Sequence, residues 1–314
     1  MELPARELDA WVLAQRPRRE ALDKWKPQAF FVEQEPGEAN APVDVATIFL
    51  VNRECPWRCL MCDLWRNTLT ETAPPGAIPA QIDYALERLP PARWIKLYNA
   101  GSFFDPHAVP PSEYAAIAAR VKPFERVIVE SHPALTGERC LVFRDLLSGR
   151  LEVAMGLETA HPDVLARLNK RMTLHQFSAA ARFLKENNID LRVFILVQPP
   201  FLPAAETLEW AARSLDFAFD CGATAATLIP TRGGNGAMEA LAESGQFRAP
   251  RMATLEAAMQ YGLEIRRGRV FVDLWDMRLS DVCSSCHAAR VERLRRMNLL
   301  QTVLEPFPCD VCKV

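Results

Sequence analysis

The stretch "VATIFLVNRECPWRCLMCDLW", residues 45–65, sets a short apolar run directly before three cysteines. "VATIFLV" (45–51) is uncharged, rich in β-branched residues and too short for a stable helix, so it reads as a buried strand. Cys55, Cys59 and Cys62 then follow as C-x-x-x-C-x-x-C. Three thiolates can each hold one iron of a four-iron, four-sulfur cluster and leave the fourth iron open to a non-protein ligand. A structural zinc site would instead close a tetrahedron with a fourth ligand. Asp63 and His107 are candidates for that ligand, but Asp63 adjoins Cys62 and would strain the geometry.

Working outward, further strand-like runs recur at "WIKLYNA" (94–100), "RVIVES" (126–131), "LEVAMGL" (151–157), "LRVFILV" (191–197) and "ATAATLI" (223–229). Stretches with apolar residues at three- and four-residue spacing separate most of them: 79–89, 111–121, 162–172, 174–188 and 206–222. Strands alternating with helices of this length predict a parallel sheet with right-handed crossovers. Six such units fit a partial (β/α)6 barrel, with a doubly wound sheet as the alternative. Residues 1–42 form an N-terminal extension with an extended "QAFFVEQEP" segment, residues 43–235 the barrel, and residues 236–314 a small cysteine-rich, metal-binding tail. The cysteine loop follows the first barrel strand, and β/α barrels carry their chemistry at the C-terminal ends of strands.

Composition narrows the partners. The chain has 314 residues, 49% of them apolar, and a formal net charge of −2, so a sizeable core is affordable and bulk charge does not select nucleic acid. No apolar run reaches the roughly 18 residues of a membrane helix, and the N-terminus has no apolar signal core. A cytoplasmic protein without membrane association is expected, where clustered cysteines serve as metal or redox ligands. Cys140 and Cys221 stand alone and read as small buried apolar residues. Cys283, Cys286, Cys309 and Cys312 form two C-x-x-C pairs with a helical span between them. Four thiolates so arranged suit a structural zinc ion; an auxiliary iron–sulfur cluster is the alternative. From 266 to 296, Arg266, Arg267, Arg269, Arg278, Arg290, Arg293, Arg295 and Arg296 outnumber Asp273, Asp276, Asp281 and Glu292 by four. That excess reads as a phosphate-facing surface or as a solvated helix face.

"CPWRCLMC" resembles the cluster signature of radical S-adenosylmethionine (SAM) enzymes. "YNAGSFFD" (98–105) is similar to the segment that receives the SAM amino group in that superfamily. "GLETAHPDVLARLNKRMT" (156–173) is similar to a strand-end segment of the Elongator catalytic subunit and the methylthiotransferases. With "LVQPPF" these segments most resemble the radical SAM subunit of archaeosine synthase. The resemblance implies a [4Fe-4S] cluster on Cys55, Cys59 and Cys62, SAM on its open iron, and an electron donor such as flavodoxin or ferredoxin. It implies SAM contacts from Asn99, Gly101 and Ser102, a ribose contact from Glu158, a carboxylate contact from Lys170 or Arg171, and an adenine neighbour in Gln198. Met61 stands where relatives often carry an aromatic residue beside the adenine. Glu130 and His132, after the third strand, are expected to face the cavity. The implied chemistry is a 5′-deoxyadenosyl radical that abstracts hydrogen from a substrate, with a tRNA nucleoside set against a small metabolite, lipid or peptide. An iron–sulfur carrier or a zinc-containing binding protein is the non-enzyme alternative.

Overall fold

The computed structural model describes residues 4–19, 21–37, 41–275, 277, 279, 283–309 and 311. Among them, helix α1 (Ala5–Gln15) and strand β1 (Ala29–Pro36) precede the first barrel strand, β2 (Pro42–Phe49). The chain then alternates: α2 (Ala77–Leu86), β3 (Trp94–Tyr98), α3 (Tyr114–Val121), β4 (Arg126–Glu130), α4 (Glu138–Leu146), β5 (Arg150–Glu158), α5 (Pro162–Arg167), α6 (Leu174–Glu186), β6 (Asp190–Val197), α7 (Thr207–Asp220) and β7 (Ala225–Pro230). Helices α8 (Ala237–Glu243) and α9 (Met252–Glu264), strand β8 (Arg269–Val272) and helix α10 (Ser284–Leu300) complete it.

The described strands form one curled sheet in the order β1 to β8, with β1 antiparallel to β2 and every later pair parallel. The α/β partial barrel is therefore as expected, and its six anticipated strands are β2 to β7. The sheet is wider by one strand on each side. The "QAFFVEQEP" segment is β1, and "RVFV" in the tail is β8. No described helix is long and apolar enough to cross a membrane.

Apolar outer faces of the strands and inner faces of the helices make the main core. Ile48, Leu97, Val129, Val153 and Leu228 on strands meet Ile82, Ile117, Phe177 and Leu215 on helices, all fully buried. Helix α6 starts on a capping box, in which the Thr173 hydroxyl accepts from Gln176 N–H and the Gln176 side chain answers the Thr173 N–H. Two helices stop earlier than periodicity suggests. Helix α5 ends at Arg167, not 172, because Asn169 and Arg171 take left-handed backbone (φ 56° and 55°). Helix α10 ends at Leu300, where Gln301 takes φ 50°.

The end of the barrel away from the cysteines is closed by charge. Arg192 on β6 forks onto Glu35 of β1 at 2.8 and 2.7 Å, and its Nε donates to Glu152 of β5 at 2.6 Å. Glu152 also takes Arg126 at 2.8 Å and Arg269 at 2.9 Å, while Lys96 reaches Glu33 at 2.7 Å and Glu35 at 2.5 Å. Burial raises the Glu152 carboxyl, but the guanidiniums of Arg192, Arg269 and Arg126 outweigh it and hold it at about 2. Beyond the two sheet edges, α10 packs against both β1 and β8. The Asn298 amide pairs with Val272 N–H and C=O at 2.8 and 2.9 Å. The Gln301 amide pairs with those of Val270, both at 2.8 Å.

Candidate functional site

The loop after β2 is tied at many points. Leu69 N–H donates to Asn52 O at 2.7 Å and Glu54 N–H to Leu69 O at 2.9 Å, which pinches the loop at its neck. Gln81 of α2 pairs with Val51 N–H and C=O at 2.7 and 2.8 Å. Carbonyls within the loop take donors from elsewhere: Arg58 O from Asn169 at 2.7 Å, Leu60 O and Cys62 O from Asn235 at 2.9 and 3.1 Å. The Arg58 guanidinium donates to Cys55 O at 2.6 Å. Met61 packs between two apolar clusters, one with Leu8, Val12 and Met238, the other with Val164, Leu168 and Leu196.

Burial pushes the thiols of Cys55, Cys59 and Cys62 up to about 12. A thiol binds metal as the thiolate, so in this enclosed loop a bound cation is what makes the charged form affordable. The sulfurs do not converge on a single-ion site: among the described residues, the group of three close ligands is Cys283, Cys286 and Cys309. Thiols that are partly buried in one loop yet spread apart fit a cluster, which seats each sulfur on a different iron.

The strand ends around this loop carry the other anticipated residues. Ala100, Glu158 and Gln198 close β3, β5 and β6 in the left-handed region, at φ 52°, 67° and 60°. Such backbone costs a non-glycine residue about 1 kcal/mol or more and tends to mark functional sites. Asn99 is fully buried, and neither Oδ1 nor Nδ2 has a partner among the described residues. Its N–H donates to Glu130 at 2.9 Å. Burial pushes the Glu130 carboxyl up to about 7, against the pull of the Asn99 and Ala100 N–H groups and of Lys170. A Cβ on Gly101 would come 3.3 Å from Cys55 Cβ, so this glycine lets the β3 loop pass the cysteine loop closely. Ser102 accepts from His132 N–H at 2.6 Å.

Lys170 Nζ meets Glu158 Oε1 at 2.6 Å, both buried. Burial disfavours the charged amine, but Glu158 outweighs that and holds Lys170 above its usual range. The pair depends on Gly156, where a Cβ would stand 2.2 Å from Glu158 Oε1 and 2.6 Å from Lys170 Nζ. Arg171 points elsewhere, pairing with Asp9 of α1 at 2.6 Å. The Gln198 amide is engaged within its own loop, donating to Leu202 O at 2.7 Å and accepting from Thr207. His132 stacks on Trp57 of the cysteine loop with centroids 3.8 Å apart and rings 13° from parallel. Its Nδ1 accepts from Ala134 N–H, which leaves Nε2–H to donate to Lys170 O at 3.0 Å. Burial and the Lys170 charge hold this imidazole down at about 3, so it is neutral. Gly156, Asn169 and Asn235 were not anticipated from sequence: the partners of the two asparagines lie far along the chain, and Gly156 acts only by the space it leaves for Glu158 and Lys170.

In the tail, Cys283 Sγ lies 3.4 Å from Cys286 Sγ and 3.6 Å from Cys309 Sγ. Cys312 lies outside the described residues. The tail's arginine excess is largely committed inside the protein. Arg290 and Arg293 are buried and pair with Glu256, Arg269 joins the barrel floor, Arg267 pairs with Asp220 and Arg295 with Glu292. Arg278, Asp276 and Asp281 lie outside the described residues.

No family model matches the chain. It is 24% identical over 249 residues to an uncharacterized protein of Methanocaldococcus jannaschii, a match covering 74% of this chain and 68% of that one. It is 28% identical over 217 residues to archaeosine synthase subunit beta of Methanosarcina acetivorans, covering 65% of this chain and 62% of the relative. The solved structure of Methanocaldococcus infernus Elp3 superposes with a TM-score of 0.51 at 12% identity, over 70% of this chain and 58% of Elp3. That last likeness is one of fold.

Proposed function

We propose that this chain, a radical SAM enzyme in its fold and its cysteine loop, takes a hydrogen atom from a nucleoside of RNA. Cys55, Cys59 and Cys62 would hold a [4Fe-4S] cluster, and SAM bound there would supply a 5′-deoxyadenosyl radical on one-electron reduction by a flavodoxin- or ferredoxin-like donor. The chain's own residues position and enclose. Asn99 offers an amide donor and acceptor that the protein leaves unmatched. Gly101 keeps the β3 loop close against the cysteine loop, Ser102 ties it to the loop after β4 through His132 N–H, and the Lys170–Glu158 pair would offer one charge of each sign to the zwitterionic end and ribose of SAM. Met61, packed against both neighbouring apolar clusters, would offer the adenine a polarizable thioether. Gln198 shapes that side through its loop, since its amide is already bonded.

The observation that carries the substrate class is the aromatic lining of the barrel. Phe49, Tyr98 and Phe194 stand edge to face at 6.0 and 6.2 Å between centroids, each only partly buried. Phe31 and Trp275 stack at 6.1 Å, 12° from parallel, and Trp275 is 61% exposed. Partly bare rings suit a planar base, which gains by stacking, better than a flexible lipid tail. The relative named archaeosine synthase subunit beta supports the same class. The test has two arms. Anaerobically reconstituted protein with dithionite and SAM should yield 5′-deoxyadenosine, and Cys55→Ala, Cys59→Ala or Cys62→Ala should each stop it. Nucleoside profiling of RNA from a deletion strain should show one modified nucleoside lost. An unchanged nucleoside profile with altered metabolites would refute the RNA substrate.

For the tail the proposal is zinc. Four thiolates at a Zn–S distance of about 2.3 Å stand about 3.8 Å apart, close to the 3.4 and 3.6 Å observed between sulfurs. Cys312 would be the fourth ligand.

A further inference from the structure

Beside the cysteine loop lies a cluster of positive charge that neither SAM nor an iron–sulfur cluster explains. Trp65, buried in the turn Leu64–Asn67, is ringed by three guanidiniums. Arg16, Arg66 and Arg19 lie 4.6, 5.6 and 5.8 Å from its ring centroid. One carboxylate, Glu54, sits among them. It takes Arg16 at 2.7 Å, Arg19 at 2.5 Å and Arg58 at 3.2 Å. Arg66 pairs with no carboxylate among the described residues. Four guanidiniums therefore share one negative charge.

Two donors in this cluster are buried and unmatched. Among the described residues Arg16 Nε and Trp65 Nε1 have no acceptor, although the Arg16 side chain is only 9% exposed and Trp65 only 4%. Buried donors almost always find a partner, and leaving one bare costs about 1–3 kcal/mol. The bare donors mark a neighbourhood short of acceptors, and the excess positive charge on its exposed side calls for one that is negative and does not belong to the chain. The planar forks of arginine match an oxyanion with several oxygens, phosphate above all. Access remains: the Arg19 and Arg58 side chains are 22% and 24% exposed. Glu54 directly precedes Cys55, so the site lies on the rim of the loop proposed to hold the cluster.

We propose that Arg16, Arg19, Arg58 and Arg66, gathered about Trp65, form an oxyanion site that takes one backbone phosphate of the substrate RNA. This rests on the RNA reading above. A phosphate held on the rim fixes how far the nucleotide reaches into the barrel without selecting its base.

The experiment follows the indole N–H of Trp65 by NMR in the cluster-loaded, full-length protein, kept anaerobic, with the resonance assigned from Trp65→Phe. Inorganic phosphate, titrated against chloride at constant ionic strength, should move this resonance saturably, and total tRNA should move it the same way. Arg66→Gln should weaken phosphate affinity about tenfold and lower the salt slope of RNA binding by about 0.7–0.9, one phosphate's worth. Arg66→Lys, which keeps the charge but loses the fork, should fall between. Iron content confirms that each variant is folded. A Trp65 resonance unmoved by phosphate overturns the site. If phosphate moves it but bound tRNA does not, the assignment to RNA backbone falls. If tRNA does not bind the wild-type protein at all, it is the RNA reading itself that fails.

Discussion

Gly156→Ala tests whether the Lys170–Glu158 pair is held by space rather than by charge alone. The new Cβ would lie 2.2 Å from Glu158 Oε1 and 2.6 Å from Lys170 Nζ. Ordinary contact needs roughly 3.5 Å, so each group must retreat by about 1 Å. Both atoms end flexible side chains, so the backbone of β5 holds and the ion pair yields. Overpacking costs about 1–3 kcal/mol, and losing one partner of a buried pair about 3–5 kcal/mol. Both partners survive here, so a cost of about 2–3 kcal/mol is expected, or roughly 4–10 °C in melting temperature. SAM affinity, by calorimetry on reconstituted protein, should fall about tenfold, equivalent to about 1.4 kcal/mol. Glu158→Ala removes the nearer atom, so Gly156→Ala in that background should cost less than half as much. An equal cost in both backgrounds, or wild-type melting and SAM affinity in the single variant, would refute the reasoning.

At Gly101, alanine should be nearly tolerated and valine should lose iron, because the first methyl already touches Cys55; equal iron content in both variants would count against that contact. Glu130 should make stability depend on pH. Its folded pKa of about 7 lies above the usual 4.5, so its contribution is full below the lower value and lost as pH rises through the upper one. Urea unfolding from about pH 5 to 8 should show this fall, and Glu130→Gln should flatten it. Purified protein should contain about one zinc besides about four irons. Cys286→Ser should lose the zinc alone, whereas iron near eight without zinc would move the tail from support to redox work. Arg192→Met should destabilise by about 3–5 kcal/mol by leaving Glu35 and Glu152 buried without their shared partner; a wild-type urea midpoint would show that the barrel floor does not depend on it.

The barrel was legible because strands β2 to β7 are apolar and evenly interrupted, and the cysteine loop because its ligands lie within one turn of chain. β1 was harder. Glu33 and Glu35 face inward onto Lys96 and Arg192, so the inner face of this edge strand carries charges that read as surface ones. β8 has only four residues and follows an arginine-rich turn. Helix α4 was missed because "ERCLVFRDL" buries little beyond Cys140 and Phe143. At the site, Asn99, Glu158 and Lys170 were named through the resemblance of their segments to a known superfamily, and Lys170 lies between α5 and α6 rather than at a strand end. Contacts across long stretches of chain did not show: Asn235 onto Cys62, Arg16 and Arg19 onto Glu54, and Gly156 vacating room for a pair twelve residues apart. The arginine excess of the tail misled because sequence counts charges without their partners, and Glu256, the partner of two, lies in another helix.

The outer edge of β8 is completed by two carboxamide side chains of α10 rather than by a ninth strand. An open strand edge invites pairing with another molecule, and here Asn298 and Gln301 occupy the places where a foreign backbone would bond. Side chains let go more readily than a strand does, since nothing else in the sheet has to move. The same helix begins at Cys283 and Cys286, so one helix carries both the tail thiols and the side chains that guard the edge. Thiol chemistry that unwound this helix would therefore also uncover a strand edge able to pair with a second molecule.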